Sequence, residues 1–216
     1  MRLTKLGHAC VRLEKDGPAL VIDPGIWSDA SAALAGASAV LITHEHPDHV
    51  DYDSVRAALS SDAGLRLWTN ASVAEQFAEF GSRVHTVSRG DTFTAAGFDV
   101  HVYGRDHALI HRDIPVVANT GFALDGAIFH PGDSFTVPED RVPTLLLPGN
   151  APWLKVGEMI DYARAVAPER AYAIHDGLLN ANGLGVMQRM MEVAAQPLGA
   201  DFVRLEPGAT VELRRP

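Results

Sequence analysis

The chain has a single cysteine, Cys10, among 216 residues, so it can neither close a disulfide within itself nor build a thiolate cage around a metal. No apolar run is long enough to cross a bilayer, and the stretch Met1 to Gly7 lacks the apolar core of a signal peptide. A soluble, cytoplasmic protein with no membrane partner is expected. Basic side chains are also scarce: 18 Lys and Arg stand against 27 Asp and Glu, a net charge of -9 that repels polyanions at long range. With no basic patch and no aromatic run on which bases could stack, nucleic acid is not an expected partner. A small anion is not excluded, because bound divalent cations would reverse the local charge. No Pro/Ser/Gly tract or long single-sign charge run interrupts the chain, and residues 1–216 are expected to form one domain.

What the sequence does have is histidine, and it is concentrated. Thr43-His44-Glu45-His46-Pro47-Asp48-His49 places three imidazoles and a carboxylate directly after the apolar run Ala39 to Ile42. Shuffling ten histidines among 216 residues gives His-x-His-x-Asp-His with odds on the order of one in a thousand. These groups are the ligands that borderline-soft divalent cations accept, with Zn2+ first and Mn2+ or Fe2+ also compatible. In an extended chain positions i and i+2 point the same way, so His44 and His46 emerge side by side, and Pro47 then stops the strand. The turn that follows lets Asp48 and His49 face a neighbouring point, giving the two adjacent ligand sets of a two-metal centre.

Strands are expected at Leu3 to Leu6, Ala9 to Leu13, Leu20 to Ile22, Ala39 to Ile42, Arg83 to Val87, Thr92 to Thr94, Phe98 to Tyr103 and Val116 to Leu124. Further strands are expected at Ala127 to His130, Thr144 to Leu147, Ala171 to Ile174, Phe202 to Leu205 and Thr210 to Leu213. Helical spacing appears at Asp53 to Leu59, Ser72 to Phe80, Lys155 to Val166 and Leu184 to Ala195. Many strands with helices at separated places imply an α/β fold, two sheets covered outside as a four-layer αββα sandwich. No internal repeat is visible.

Three later segments follow expected strands and carry ligand-type residues. They contain Asp106-His107 with His111, Gly132-Asp133, and His175-Asp176. Gly132 allows a close turn from which Asp133 could bridge two cations. His107 and His111 share one loop, and the strand ending at Tyr103 favours His107. His130 reads either as support for the site or as a hydrogen-bonded structural residue, while His85 and His101 lie on strands away from the motifs. Asp23 is placed to orient a ligand imidazole.

The succession His44-x-His46-x-Asp48-His49, a single histidine, Gly132-Asp133 and His175 resembles the metallo-β-lactamase superfamily over nearly the whole chain. Leu6-Gly7-His8-Ala9 and Ile22-Asp23-Pro24 further resemble its small stand-alone branch of metal-dependent hydrolases, related to ascorbate-6-phosphate lactonases and more distantly to N-acyl-phosphatidylethanolamine phospholipase D enzymes. The resemblance implies that His44, His46 and His107 hold one divalent cation, that Asp48, His49 and His175 hold a second, and that Asp133 bridges them. It also places His8 beside the metals as a substrate-binding or proton-handling residue. A water shared by two cations would have its pKa brought toward neutrality, giving a nucleophile for an ester, lactone, amide or phosphodiester, with Asp133 orienting it. A lactonase-like enzyme acting on a small molecule is the favoured expectation, and for an anionic substrate Arg105, Arg112 and His111 are the candidate contacts. The rivals are a nucleotide or nucleic-acid phosphodiesterase, and a redox or non-catalytic metal protein.

Overall fold

Apolar runs such as Ala19–Ile22 and Ala37–Ile42 carry no polar alternation, so as strands they must be covered on both faces. The computed structural model, which describes residues 1–15 and 17–213, covers them in four layers. In the first sheet β1 (Arg2–Gly7), β2 (Cys10–Glu14) and β3 (Ala19–Ile22) form an antiparallel meander. Strands β4 (Ala37–Ile42), β5 (Arg66–Thr69) and β6 (Val84–Thr86) continue it in parallel. The second sheet pairs β7 (Thr92–Ala95), β8 (Phe98–Tyr103), β9 (Gly121–Leu124) and β10 (Ile128–His130) antiparallel. It then adds β11 (Thr144–Pro148), β12 (Arg170–Ile174) and β13 (Asp201–Val203) in parallel. Strand β14 (Thr210–Glu212) returns to pair with β1. Both sheets thus run antiparallel and then parallel, a repeat of pairing order that the sequence does not display.

The parallel strands need crossovers, and these supply the helices. Helices α1 (Ala30–Leu34), α2 (Tyr52–Ser61) and α3 (Ala71–Glu75) cover the first sheet, while α4 (Val156–Val166) and α5 (Ala181–Ala195) cover the second. Three apolar clusters fill the three gaps between layers. Val40, Ile42, Val55, Leu59 and Phe77 pack under α2 and α3. Leu13, Ile22, Leu41, Phe98, Phe122 and Ile174 lie between the sheets. Phe129, Leu145, Leu147, Met159 and Met191 pack beneath α4 and α5. This is the expected αββα sandwich. No helix of the described residues is long and apolar enough to cross a membrane.

Strand β5 is not among the expected strands: its four residues are too few to show a period, and it forms by pairing with β4 and β6. Other elements also depart from expectation. The strand expected over Val116 to Leu124 starts only at Gly121, because the preceding backbone bonds to loops instead of a neighbour: Asn119 N–H donates to Arg105 O and Thr120 N–H to Thr43 O. The helix expected over Ser72 to Phe80 stops at Glu75 and resumes as a 3-10 turn, Ala78–Arg83, broken at Gly81 with φ 57°. The short helix α1, capped by Asp29 accepting from Ala32 N–H, had no recognisable period. The strand expected over Phe202 to Leu205 is Asp201–Val203.

Candidate metal centre

Five strands deliver their C-terminal ends to one edge of the sandwich. From the first sheet come Asp23 after β3 and His44 to His49 after β4; from the second come His107 beyond β8, Asp133 after β10 and His175 after β12. His8 enters from the turn between β1 and β2. Three of these residues, His8 (φ 41°), Asp23 (φ 51°) and His175 (φ 62°), adopt the left-handed backbone that costs non-glycine residues energy. Such strain persists where surrounding structure overdetermines it, as at binding sites.

The side chains gather into overlapping groups whose ligand atoms lie within 4.8 Å of one another: His44, His46 and His107; His8, Asp48, His49 and His175; and His44, His49 and Asp133. His44 Nε2 and His46 Nδ1 are 3.1 Å apart. His175 Nε2 is 3.3 Å from Asp48 Oδ2 and 3.0 Å from Asp133 Oδ2, and His107 Nε2 is 3.4 Å from Asp133 Oδ2. Ligands about 2.0–2.1 Å from a tetrahedral Zn2+ would stand roughly 3.3 Å from each other, so these separations fit the edges of a coordination shell.

A second observation is the unmet polar valence. Among the described residues four buried side-chain polar atoms find no hydrogen bond, and three of them, His49 Nε2, His107 Nε2 and Asp133 Oδ1, point into this cluster. His49 Nε2 and Asp133 Oδ1 stand 3.1 Å apart without hydrogen-bond alignment. Buried polar atoms are rarely left so, and a cation is the partner that both a nitrogen lone pair and a carboxylate oxygen accept. The nitrogen and oxygen donor set fits Zn2+, Mn2+ or Fe2+.

The opposite nitrogens are occupied. His49 Nδ1 lies 2.6 Å from Asp23 Oδ2, His107 Nδ1 2.6 Å from Ala108 O, and His175 Nδ1 2.5 Å from Asn150 O. His44 Nδ1 is 3.0 Å from Thr43 Oγ1, which itself donates to Asp23 Oδ2 at 2.7 Å. Each acceptor draws the proton to Nδ1 and leaves the Nε2 lone pair free for a cation. His8 is the reverse. Its Nδ1 accepts the Gly177 N–H at 3.1 Å, so the neutral ring carries its proton on Nε2, 3.1 Å from Asp48 Oδ2. His8 lies within ligand distance of the second group, yet it has no free lone pair to offer. A Cβ on Gly177 would sit 2.9 Å from His8 Nδ1, so glycine is required there.

Electrostatics follow the same division. Burial holds the pKa of His44 well below the ordinary imidazole value, and that of His46 lower to a lesser degree. Burial acts on His175 in the same direction, but the Asp133 and Asp48 carboxylates override it and raise the group to about 9. Burial also opposes ionisation of Asp133, yet His49 and His175 keep it well below the usual carboxylate range.

Supporting contacts absent from the sequence reading complete the centre. Trp153 Nε1 donates to Asp133 Oδ2 at 2.8 Å. Asn119 Oδ1 accepts from Asp133 N–H at 2.9 Å and its Nδ2 donates to Pro131 O at 2.8 Å, fixing a turn in which a Cβ on Gly132 (φ 63°) would meet Asn119 at 2.3 Å. Lys5, fully buried on β1, crosses between the sheets to Asp176 Oδ1 at 2.7 Å and Ala173 O at 2.9 Å, and Arg204 Nε holds Asp176 Oδ2 at 2.7 Å. Asp176 adjoins His175, so this buried charge cluster ties the two halves of the centre together.

Of the remaining candidates, His111 lies outside every group; exposed, it pairs with Asp113 at 3.5 Å, whereas His107 from the same loop is inside. Arg112 is 86% exposed and its ionic neighbour is Asp113, and Arg105 is likewise exposed, so neither is drawn into the centre. His130 is buried and structural in its contacts, with Nε2 donating to Ala9 O and Nδ1 accepting from Gly132 N–H. His85 stacks on Trp68 and His101 bonds to Tyr103. A cavity of about 800 Å3 around β7 and β8 contains none of the clustered residues.

Comparison with known proteins gives a consistent picture. The family described as the beta-lactamase superfamily domain matches residues 2–175. Protein Rv0786c of Mycobacterium tuberculosis is 37% identical over 191 residues, covering 86% of this chain and 89% of that protein. A UPF0173 metal-dependent hydrolase of Methanopyrus kandleri is 27% identical over 231 aligned residues, covering 98% and 100%. Among solved structures Igni18, described as a metallo hydrolase from Ignicoccus hospitalis, superposes with a TM-score of 0.73 at 20% identity over 99% of both chains.

Proposed function

The chain belongs to the beta-lactamase superfamily, and from that premise we propose that it is a metal-dependent hydrolase working on an ester, lactone, amide or phosphodiester bond of a small molecule. The observation that carries this reading is the convergence of buried, unpartnered His49 Nε2, His107 Nε2 and Asp133 Oδ1 beside His44 and His175, with the Nδ1 atoms of all four imidazoles already occupied. In the proposed assignment His44, His46 and His107 would hold one divalent cation and Asp48, His49 and His175 a second, with Asp133 shared between the two groups; Zn2+ would suit this donor set best. Bound there, the pair would bring a shared water toward neutral pKa and polarise the oxygen of the bond under attack.

The chain's own residues do the rest. Asp23 and Thr43 fix His44 and His49, so that the first sheet presents its donors without reorganisation. Trp153 and the Asn119 turn hold the Asp133 carboxylate in one orientation. His8, kept neutral because burial lowers its pKa, carries an Nε2 proton beside Asp48 and would donate it as a hydrogen bond to the substrate's developing charge. The test is metal content per chain measured with a hydrolase substrate panel on the same preparation. Two metals with turnover of at least one ester, lactone or phosphodiester, abolished by chelation and restored by Zn2+, is the expected result; a protein free of metal under mild purification contradicts it.

A further inference from the structure

We propose that the metal centre is served by an apolar binding face, so that the non-reacting part of the substrate is an uncharged aliphatic or aromatic group rather than a phosphate or carboxylate. This rests on the reading of the centre as hydrolytic and narrows its substrate.

Among the described residues ten large hydrophobic side chains are exposed, and six of them lie on the loops that carry the centre: Ile26, Trp27, Leu109, Ile114, Val116 and Leu178. Those loops make up roughly a quarter of the chain, so six of ten exceeds an even spread. Four of them are tied to the centre. The Trp27 ring stands against His8 at 4.9 Å, and Ile26 N–H bonds Pro47 O inside the histidine motif. Leu109, 60% exposed, follows the Ala108 carbonyl that orients His107. Leu178, 53% exposed, follows the Gly177 N–H that sets the His8 tautomer.

A cleft of about 630 Å3 adjoins the centre on the Leu109 side, walled by Leu109, Ile110, Phe135, Trp153 and Leu154. The volume is that of a small-molecule site. Its wall is shared with the centre, since Trp153 bonds Asp133 and the lining residues Ala108 and Ser134 adjoin His107 and Asp133 in the chain. The charged side chains on this lining are Asp106, Glu158 and Lys155, with Lys155 pairing Glu158 at 3.2 Å. Two acids against one neutralised base do not recognise an anion. Arg112 and Arg105, the cations a phosphate would need, turn to solvent. An apolar cleft beside the centre, with further apolar side chains on the neighbouring loops and no net positive charge on the lining, fits an acyl or aryl group.

The test uses the Zn2+-loaded protein and straight-chain alkyl hydroxamates from acetyl to octanoyl, whose common head group seeks the metal, with binding measured by calorimetry. Affinity is expected to rise with chain length by up to about fourfold for each methylene buried. Leu109→Ser and Leu178→Ser should each flatten that dependence, whereas Val193→Ser, on the outer helix α5, should leave it intact. Phosphonoacetohydroxamate should bind no tighter than acetohydroxamate. A flat series with firm acetohydroxamate binding, or a preference for the phosphonate, overturns the apolar face while leaving the metal centre standing. No hydroxamate binding to protein that retains its metal overturns both. If Leu109→Ser converts a dimer to a monomer without changing the series, the face covers a second copy and the inference fails.

Discussion

Replacing Asp176 by Asn should cost the metal-free protein far more stability than replacing Lys5 by Met, although both break the same 2.7 Å contact. Asp176→Asn removes the charge opposite the Lys5 ammonium, leaving it between the sheets with only the neutral Asn amide and Ala173 O as acceptors, and removing one charge of a buried ion pair costs about 3–5 kcal/mol. Lys5→Met leaves Asp176 held by Arg204 and keeps most of the stem volume. Its lost charge-assisted bond, about 1.5–3 kcal/mol, is offset by no longer burying an ammonium, for a net near 1 kcal/mol. The double variant, with neither buried charge stranded, should therefore be more stable than Asp176→Asn alone. Urea unfolding in the presence of a chelator reads these differences, and at 2–4 °C per kcal/mol for a chain of about this size Asp176→Asn should melt roughly 6–20 °C below the parent. Because Asp176 directly follows His175 in the chain, both single variants should also weaken retention of the metal at that side by about 10–100-fold. Equal costs for the two single variants, adding in the double, would refute the coupling and with it the idea that this tie aligns the two halves of the centre.

Three further outcomes follow from the same geometry. His8→Gln should lower turnover by about 10²-fold while leaving two metals per chain, since His8 offers a proton and not a lone pair; loss of a metal in that variant would show the tautomer argument to be wrong. Asp23→Asn should weaken metal affinity by about 10–100-fold through His49 and Thr43, whereas His85→Ala should leave both metal content and activity unchanged, as elemental analysis of the two variants would reveal. In the metal-free protein the folded pKa of His175, about 9, lies above its ordinary value, so the stability it supplies is complete below about pH 6.5 and lost as pH rises through 9. Asp48 and Asp133 stay ionised throughout that window and do not oppose the trend. Thermal melts should fall between about pH 7.5 and 9, above the range in which the burial-lowered His8, His44 and His46 add stability, and a rise there would contradict the assignment.

The sandwich and the heart of the site were legible because their signals are local or sit at strand ends. Ala39 to Ile42 could be read as a doubly covered strand from its unbroken apolar run, and His44 to His49 from density of ligands alone. Asp133 and His175 could be found since each closes an apolar run. What escaped is whatever depends on distant pairs or on backbone partners. Lys5 and Asp176 are 171 positions apart in the sequence and neither looks unusual where it stands. Trp153 reads as core until its indole nitrogen is seen on Asp133. The tautomer of His8 is fixed by the Gly177 N–H, a group that carries no side-chain signature. Val116 to Thr120 has the composition of a strand, but its backbone bonds were claimed by the loops that build the site.

The central claim is that two cations are held together by residues from both sheets. Anomalous diffraction at the zinc edge from crystals grown with Zn2+ tests it directly. Two peaks about 3.5–4 Å apart, one among His44, His46 and His107 and the other among Asp48, His49 and His175 with Asp133 between, is the predicted result. No peak in that cluster, or zinc bound only at some other place on the molecule, would contradict it.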